Sequence, residues 1–179
     1  DSLPNQEKYL IAANHARIMN DRPKAIAAYE SLATVNPGDM DVQFTLAELY
    51  EQNSNFDAAK KHLATVLAND PNNVDALLAS GRVEIKNSNP QGGLDDLTRA
   101  LNLAIRLGNQ QEKANIQQAM GIAYSMLNKP DDALQNYQAS LAIKQQIGDK
   151  RGAGASLEQI EDVLAELQAR AAKNGASSA

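Results

Sequence analysis

The sequence contains no cysteine and no tryptophan among its 179 residues. Without thiols the chain can form no disulfide and no thiolate metal site, and it can use no cysteine nucleophile. No segment approaches the roughly 18–20 consecutive apolar residues of a membrane span, and none at the start has the pattern of a signal peptide. A chain without cysteine can function in either redox environment, so the compartment stays open, with the cytoplasm as the working expectation.

A strong charge of one sign is also missing, because the net charge is −5. Nucleic-acid binding needs a clustered basic surface, and the longest basic run is Lys60-Lys61. We therefore expect no nucleic-acid partner and no membrane insertion. The abundance of alanine and leucine favours helix along nearly the whole chain.

Small residues recur in pairs that are twelve positions apart in the sequence. Two antiparallel helices approach closely only where the crossing point lacks bulk, so a small residue on each helix predicts a tightly packed helix pair. The sequence therefore predicts four such pairs, whose small residues are Ala13 with Ala25, Ala47 with Ala59, Gly81 with Gly93, and Gly121 with Ala133.

Five prolines fall into the same register. Proline suits the first turn of a helix, where its missing N–H would lack a partner in any case, and it ends the preceding helix. We expect Pro37 and Pro71 to open first helices of their pairs, and Pro23, Pro90 and Pro130 to open second helices.

The combined pattern resembles the tetratricopeptide repeat over about residues 6–170. The segments that carry the resemblance are "FTLAELYEQNSNFDAAKKHLATVLANDPNN" and "MGIAYSMLNKPDDALQNYQASL", with Leu46-Ala47, Tyr50, Phe56, Ala59, Leu67, Pro71, Gly121, Tyr124, Ala133 and Tyr137 in the positions of the family. The resemblance implies an all-α fold: a right-handed superhelical solenoid of four helix pairs plus a C-terminal capping helix, with first helices lining the concave side.

We expect a single domain over 1–179, with units at about 6–39, 40–73, 74–113 and 114–153. The first units repeat every 34 residues, whereas Gly81 and Gly121 are 40 apart, as are Gly108 and Gly148. The extra residues should lengthen second helices that end at glycine. This longer form resembles the repeats of kinesin light chain-type proteins.

A last helix is predicted at about 151–171, followed by a frayed tail at 172–179. It carries apolar residues at helical spacing and should cap the open apolar face of the array; these residues are Leu157, Ile160, Val163, Leu164 and Leu167. The stretch "GAGASL" at its start lacks a preceding strand and a third glycine, so we interpret it as a helix–helix turn rather than a phosphate loop.

No catalytic, cofactor-binding or metal-binding constellation is recognisable, and we predict that the chain is not an enzyme. His15 and His62 lack partners at metal-ligand spacing, which favours surface or interhelix roles. We expect the acidic pairs Asp95-Asp96 and Asp131-Asp132 to fall in first turns of second helices, where the helix dipole favours them.

The resemblance implies that the first helices carry a peptide-binding groove. The candidate groove residues are Asn14, Arg17, Phe44, Glu48, Arg82, Lys86, Ile122 and Met126. Phe44 could anchor a peptide side chain or pack between adjacent first helices, and both readings stay open. Arg17 and Arg82 could bind a ligand carboxylate, but we expect pairing with Glu48 instead.

Co-chaperone members of the family grip a C-terminal carboxylate with five basic or amide residues. Only Asn14 matches that set here, and Asp75 would repel a carboxylate. We therefore expect no binding of chaperone C-terminal tails.

Two functions follow from these expectations. The first is a protein–protein interaction scaffold that binds a peptide or a partner helix without catalysis. The alternative is a sensory or regulatory portion of a larger bacterial signalling or transcription-regulator chain, which a start at Asp1 rather than Met would suit as a processed product or fragment. We expect a monomer, with self-association through the ends of the array as the other outcome.

Overall fold

The computed structural model describes residues 4–176 of the chain. These residues form nine helices and no strand, which confirms the predicted all-α fold. The helices are α1 (Asn5–Ile18), α2 (Arg22–Val35), α3 (Met40–Gln52), α4 (Phe56–Asn69), α5 (Val74–Lys86), α6 (Pro90–Leu107), α7 (Gln110–Met126), α8 (Pro130–Gln146) and α9 (Lys150–Ala176).

The chain divides after Val83 into two compact units, so a single domain over the whole chain stays a prediction. In unit 1, α2 packs against both α1 and α3, and α3 packs against α4. In unit 2, α7 packs against α6 and α8, and α8 packs against α9. These contacts join helices that are consecutive in sequence, as expected where each repeat packs against its neighbours.

The predicted small-residue crossings are present within each unit. Ala13 and Ala25 are buried in one core cluster of unit 1, and Ala47 and Ala59 are buried in a second. In unit 2, Gly121 and Ala133 are buried on the packed helices α7 and α8. The remaining pair, which belongs to two different units, stays a prediction.

The turn between the two helices of each pair repeats in conformation as well as in position. A residue other than glycine adopts positive φ in every such turn. These residues are Asn20 (53°), Ser54 (57°), Ser88 (61°) and Asn128 (61°). Their spacings are 34, 34 and 40 residues, the same as the repeat steps. In the second of these turns, the Asn55 N–H donates to the Tyr50 carbonyl at 2.9 Å and closes the end of α3.

Replacing Ser54 with glycine should therefore stabilise the protein. A left-handed backbone is strained for an L-residue, although the greater freedom of glycine in the unfolded chain offsets part of the gain. We expect the free energy of unfolding in urea to rise by about 0.5 kcal/mol. Ser31→Gly, inside α2, is the control and should lower the free energy of unfolding by a similar amount. If both variants are less stable than the wild type, the backbone at Ser54 is not strained.

Three of the five proline predictions are confirmed and two are wrong. Pro23, Pro90 and Pro130 lie in the first turn of α2, α6 and α8. Pro37 and Pro71 instead lie in the turns before α3 and α5. Those helices begin later because a polar side chain caps each of them: Asp39 Oδ1 accepts from the Val42 N–H at 3.2 Å, and Asn73 Oδ1 accepts from the Ala76 N–H at 2.9 Å.

The extra residues lengthen the second helices, as predicted, and in the fourth pair they lengthen the first helix as well. The second helices α6 and α8 have 18 and 17 residues, against 14 for α2 and α4. The first helix α7 also grows, to 17 residues against 13 for α3 and α5. Gly108 caps α6 at φ 68°, and Gly148 follows α8 at φ 78°, as predicted for helix-ending glycines. The kinesin light chain likeness stays a prediction.

Helix α9 packs on α8 but is longer than predicted at its C-terminal end. Ile160 and Val163 share a core cluster with Tyr137 of α8, whereas Leu157 and Leu164 are exposed. The helix continues past 171 as far as Ala176, and Ala171, Ala172 and Lys173 are good helix formers that favour this continuation. Residues 172–176 are therefore helical, 177–179 lie outside the described residues, and fraying of the tail stays a prediction.

The stretch 152–157, interpreted from the sequence as a helix–helix turn, lies inside α9. The turn is earlier, at Gly148. Asp149 caps the start of α9, because its Oδ1 accepts a hydrogen bond from the Gly152 N–H at 2.8 Å.

Candidate peptide-binding surface

The first helices of unit 1 present polar candidate groove residues to solvent. Asn14 and Arg17 on α1 and Glu48 on α3 are exposed, and Phe44 on α3 is half-buried. The Arg17 guanidinium donates to the Tyr29 hydroxyl at 3.3 Å, which ties α1 to α2.

Two adjacent clefts open on this surface, and Thr45 lines both. The arginine cleft has a volume of about 210 Å³ and its lining includes Arg17, Arg22 and Glu48. The phenylalanine cleft has a volume of about 340 Å³ and is lined by Met40, Asp41, Phe44, Thr45, Val66, Asn73 and Asp75.

The position of Phe44 is compatible with both interpretations that the sequence left open, and its role as a peptide anchor stays a prediction. Its ring packs against the core cluster that contains Ala47, Val66 and Ala79. The same ring also lines the phenylalanine cleft. The side chain is thus held by the core while one part of it remains accessible, which is the arrangement of a preorganised apolar anchor.

The prediction that Arg17 and Arg82 pair with Glu48 is wrong. Arg17 contacts Tyr29 instead, and Arg82 pairs with Glu51. Arg82 donates to both carboxylate oxygens of Glu51, at 2.8 and 3.0 Å. The Glu51 side chain is only 3% exposed and that of Arg82 47%. Glu51 lies nearly one helical turn beyond Glu48 on α3, and periodicity alone could not decide which of the two the guanidinium reaches.

A stacked pair of rings joins α3 and α4 within unit 1. His62 stacks on Tyr50 with ring centroids 5.6 Å apart, and its Nδ1 is 2.7 Å from Gln43 Oε1. Burial lowers the pKa of His62, and the charge of Lys61 lowers it further. Burial also raises the pKa of Tyr50 to about 12, together with the hydrogen bond that its hydroxyl donates to Glu30. His62 is therefore an interhelix residue.

Unit 2 contains a buried lysine that the sequence analysis missed. Lys144 on α8 donates to Gln118 Oε1 and, at 3.3 Å, to Ser156 Oγ. Gln118 in turn donates to Gln159 Oε1 at 2.9 Å, so one amino group ties α8 to α7 and α9. Burial lowers the pKa of Lys144, while Asp149 raises it. The residues around Lys144 alternate between apolar and polar as on any amphipathic helix, so no sequence motif indicated that Lys144 is buried.

The other candidate groove residues lie in unit 2. Ile122 and Met126 are exposed one turn apart on α7. Lys86 is exposed at the end of α5. Together with Phe44 and the charged residues of unit 1, they remain predicted binding residues.

Metal and membrane sites do not emerge from the described part of the chain. Within residues 4–176, no cluster of three or more histidine, aspartate or glutamate side chains could hold a metal ion. None of the helices in that range has the length and apolar character needed to cross a bilayer.

Solved structures with a similar fold include MamA, PilF from Pseudomonas aeruginosa, and RapI. MamA is 20% identical at a TM-score of 0.68, over 92% of this chain and 88% of that one. PilF is 15% identical at 0.73, over 92% and 69%. RapI is 14% identical at 0.80, over 92% and 65%. These likenesses concern the fold alone, and no curated protein sequence matches the chain.

Sequence models of the family identified by the repeat pattern match most of the chain. Two models described as tetratricopeptide repeat match residues 16–83 and 74–146. Their combined span contains helices α2 to α8 and the recurring left-handed turns. The chain belongs to the tetratricopeptide repeat family.

Proposed function

We propose that the chain is a protein-interaction scaffold without catalytic activity of its own, and that it binds an extended peptide or a partner helix on the first helices of unit 1. The observation that carries this proposal is the half-buried Phe44 ring at the phenylalanine cleft. Buried aromatic anchors dominate the energetics of many protein interfaces.

The rigidity of the surface supports the proposal. Phe44 is packed on the core cluster of α3 and α4, so little side-chain freedom is lost when a partner binds. The polar residues around it supply hydrogen-bonding groups for orientation, in a pattern typical of helical surfaces that bind peptides.

The test is a selection of short random peptides, displayed on phage, against the purified chain. A selected peptide is then synthesised and its Kd measured by calorimetry with the wild type and two variants. We expect Phe44→Ala to weaken binding by tenfold or more, as at an interface hot spot.

Phe56→Ala is the matched control. Phe56 is the other phenylalanine of the chain; it is also half-buried, and it packs against the same core cluster from α4 without lining the cleft. Both truncations remove a ring from the same core, but only Phe44 lines the cleft. Phe56→Ala should therefore change Kd by less than about twofold at a temperature where both variants are folded. Equal weakening in the two variants, or no selectable peptide, would contradict the proposal.

An acidic C-terminal peptide serves as the negative probe in the same titration, and we expect no measurable binding because Asp75 lines the cleft. The alternative function, a regulatory portion of a larger bacterial chain, stays a prediction.

A further inference from the structure

We propose that the phenylalanine cleft of unit 1 binds a lysine or arginine side chain of the partner peptide. This inference rests on the proposed function and specifies the chemistry of its ligand.

The charge of the cleft is the first argument. Asp41 and Asp75 line it, and its lining contains no lysine or arginine. In the described part of the chain, neither carboxylate has an ion pair or a side-chain hydrogen bond. The buried Glu51, by contrast, is neutralised by Arg82 of the chain itself. The two aspartates therefore leave a local negative charge that a ligand cation would compensate.

The apolar part of the lining is the second argument. Met40, Phe44 and Val66 provide an apolar wall beside the carboxylates. A lysine or arginine side chain has the same two parts, because a hydrocarbon stem carries a charged head. Its stem can lie on the apolar wall, and a cation near the Phe44 ring gains a cation–π attraction.

Other ligand side chains fit this lining less well. A purely apolar side chain would take water from the two carboxylates without replacing its hydrogen bonds, which is unfavourable. An acidic side chain would be repelled. The volume of about 340 Å³ lies at the small end of the roughly 300–1,000 Å³ range of ligand pockets, which suits a single long side chain rather than a folded element.

The experiment repeats the phage selection with the wild-type chain and with Asp41→Asn/Asp75→Asn. Both aspartates are exposed, so the isosteric amides should leave the fold intact, and the thermal unfolding of each variant checks this. The wild type should select peptides that share one lysine or arginine, and the double variant should not. A selected arginine peptide is then compared with its citrulline analogue, which keeps the shape and removes the charge.

We expect citrulline to raise the Kd of the wild type about tenfold and that of Asp41→Asn/Asp75→Asn less than about twofold. The matched control is Asp57→Asn/Asp131→Asn. It neutralises two exposed aspartates in the first turns of α4 and α8, neither of which lines the cleft, and should retain the tenfold preference for arginine.

The remaining outcomes overturn the inference in distinguishable ways. Selected peptides without a shared basic residue, or an equal citrulline effect in wild type and Asp41→Asn/Asp75→Asn, would exclude a cation in this cleft while Phe44→Ala still tests the proposed function. Failure to select any peptide would overturn both.

Discussion

Replacing Gly121 with leucine is expected to lower the free energy of unfolding by about 3 kcal/mol, the upper part of the range for overpacking a core. A Cβ added at Gly121 would lie 2.6 Å from Cδ1 and 2.9 Å from Cζ of the Tyr137 ring. That ring cannot move away easily, because it is buried in a cluster with Ala133, Ile160 and Val163. The closest approach of α7 and α8 thus depends on a missing side chain.

Gly154→Ala is the control for the general effect of removing a helical glycine. Gly154 lies inside α9, and an added Cβ would meet no atom within 4 Å. Alanine should therefore raise the free energy of unfolding by about 0.5–1 kcal/mol, the difference in helix propensity. Urea unfolding followed by circular dichroism measures both variants. A Gly121→Leu chain as stable as the wild type would refute the steric origin of the repeat.

This steric origin explains why the sequence predicted the helix pairs. A close crossing restricts one residue on each helix to a small side chain, so the restriction is visible at fixed positions such as Ala13 and Ala25. The conformation of the turns between the two helices of each pair was not predictable in the same way. Asn and Ser share the left-handed positions, as at Asn20 and Ser54, and neither residue type is rare enough elsewhere to mark a turn.

The candidate site was only partly predictable, because periodicity assigns a residue to a helix face without fixing its distance to other helices. The exposure of Arg17 and Glu48 followed from their faces. The pairing of Arg82 with Glu51 could not be predicted in this way. It depends on the distance between α3 and α5, and the two residues are 31 positions apart in sequence. Lys144 was missed for a similar reason: its burial comes from α9, which closes over α8.

The pair formed by Arg82 and Glu51 leads to a second large effect, on a candidate groove residue. Arg82→Glu should lower the free energy of unfolding by about 2 kcal/mol. The substitution removes the guanidinium whose Nη2 donates to both oxygens of a carboxylate side chain that is 3% exposed, and it places a second negative charge there. Loss of one member of a buried pair costs about 3–5 kcal/mol, and the expected value is smaller because Arg82 is half-exposed and solvent screens its charge.

Glu51→Gln separates this electrostatic effect from any loss of packing by Arg82. In that background the repulsion between two carboxylates is absent, so Arg82→Glu should cost less than about 1 kcal/mol. Urea unfolding of the wild type, the two single variants and the double variant gives the coupling free energy. If Arg82→Glu costs the same in both backgrounds, the ion pair contributes nothing to stability. A large coupling means that Arg82→Glu also destabilises α3, which carries Phe44. The effect of Arg82→Glu on peptide binding must then be measured below the unfolding transition of the variant, where α3 is folded.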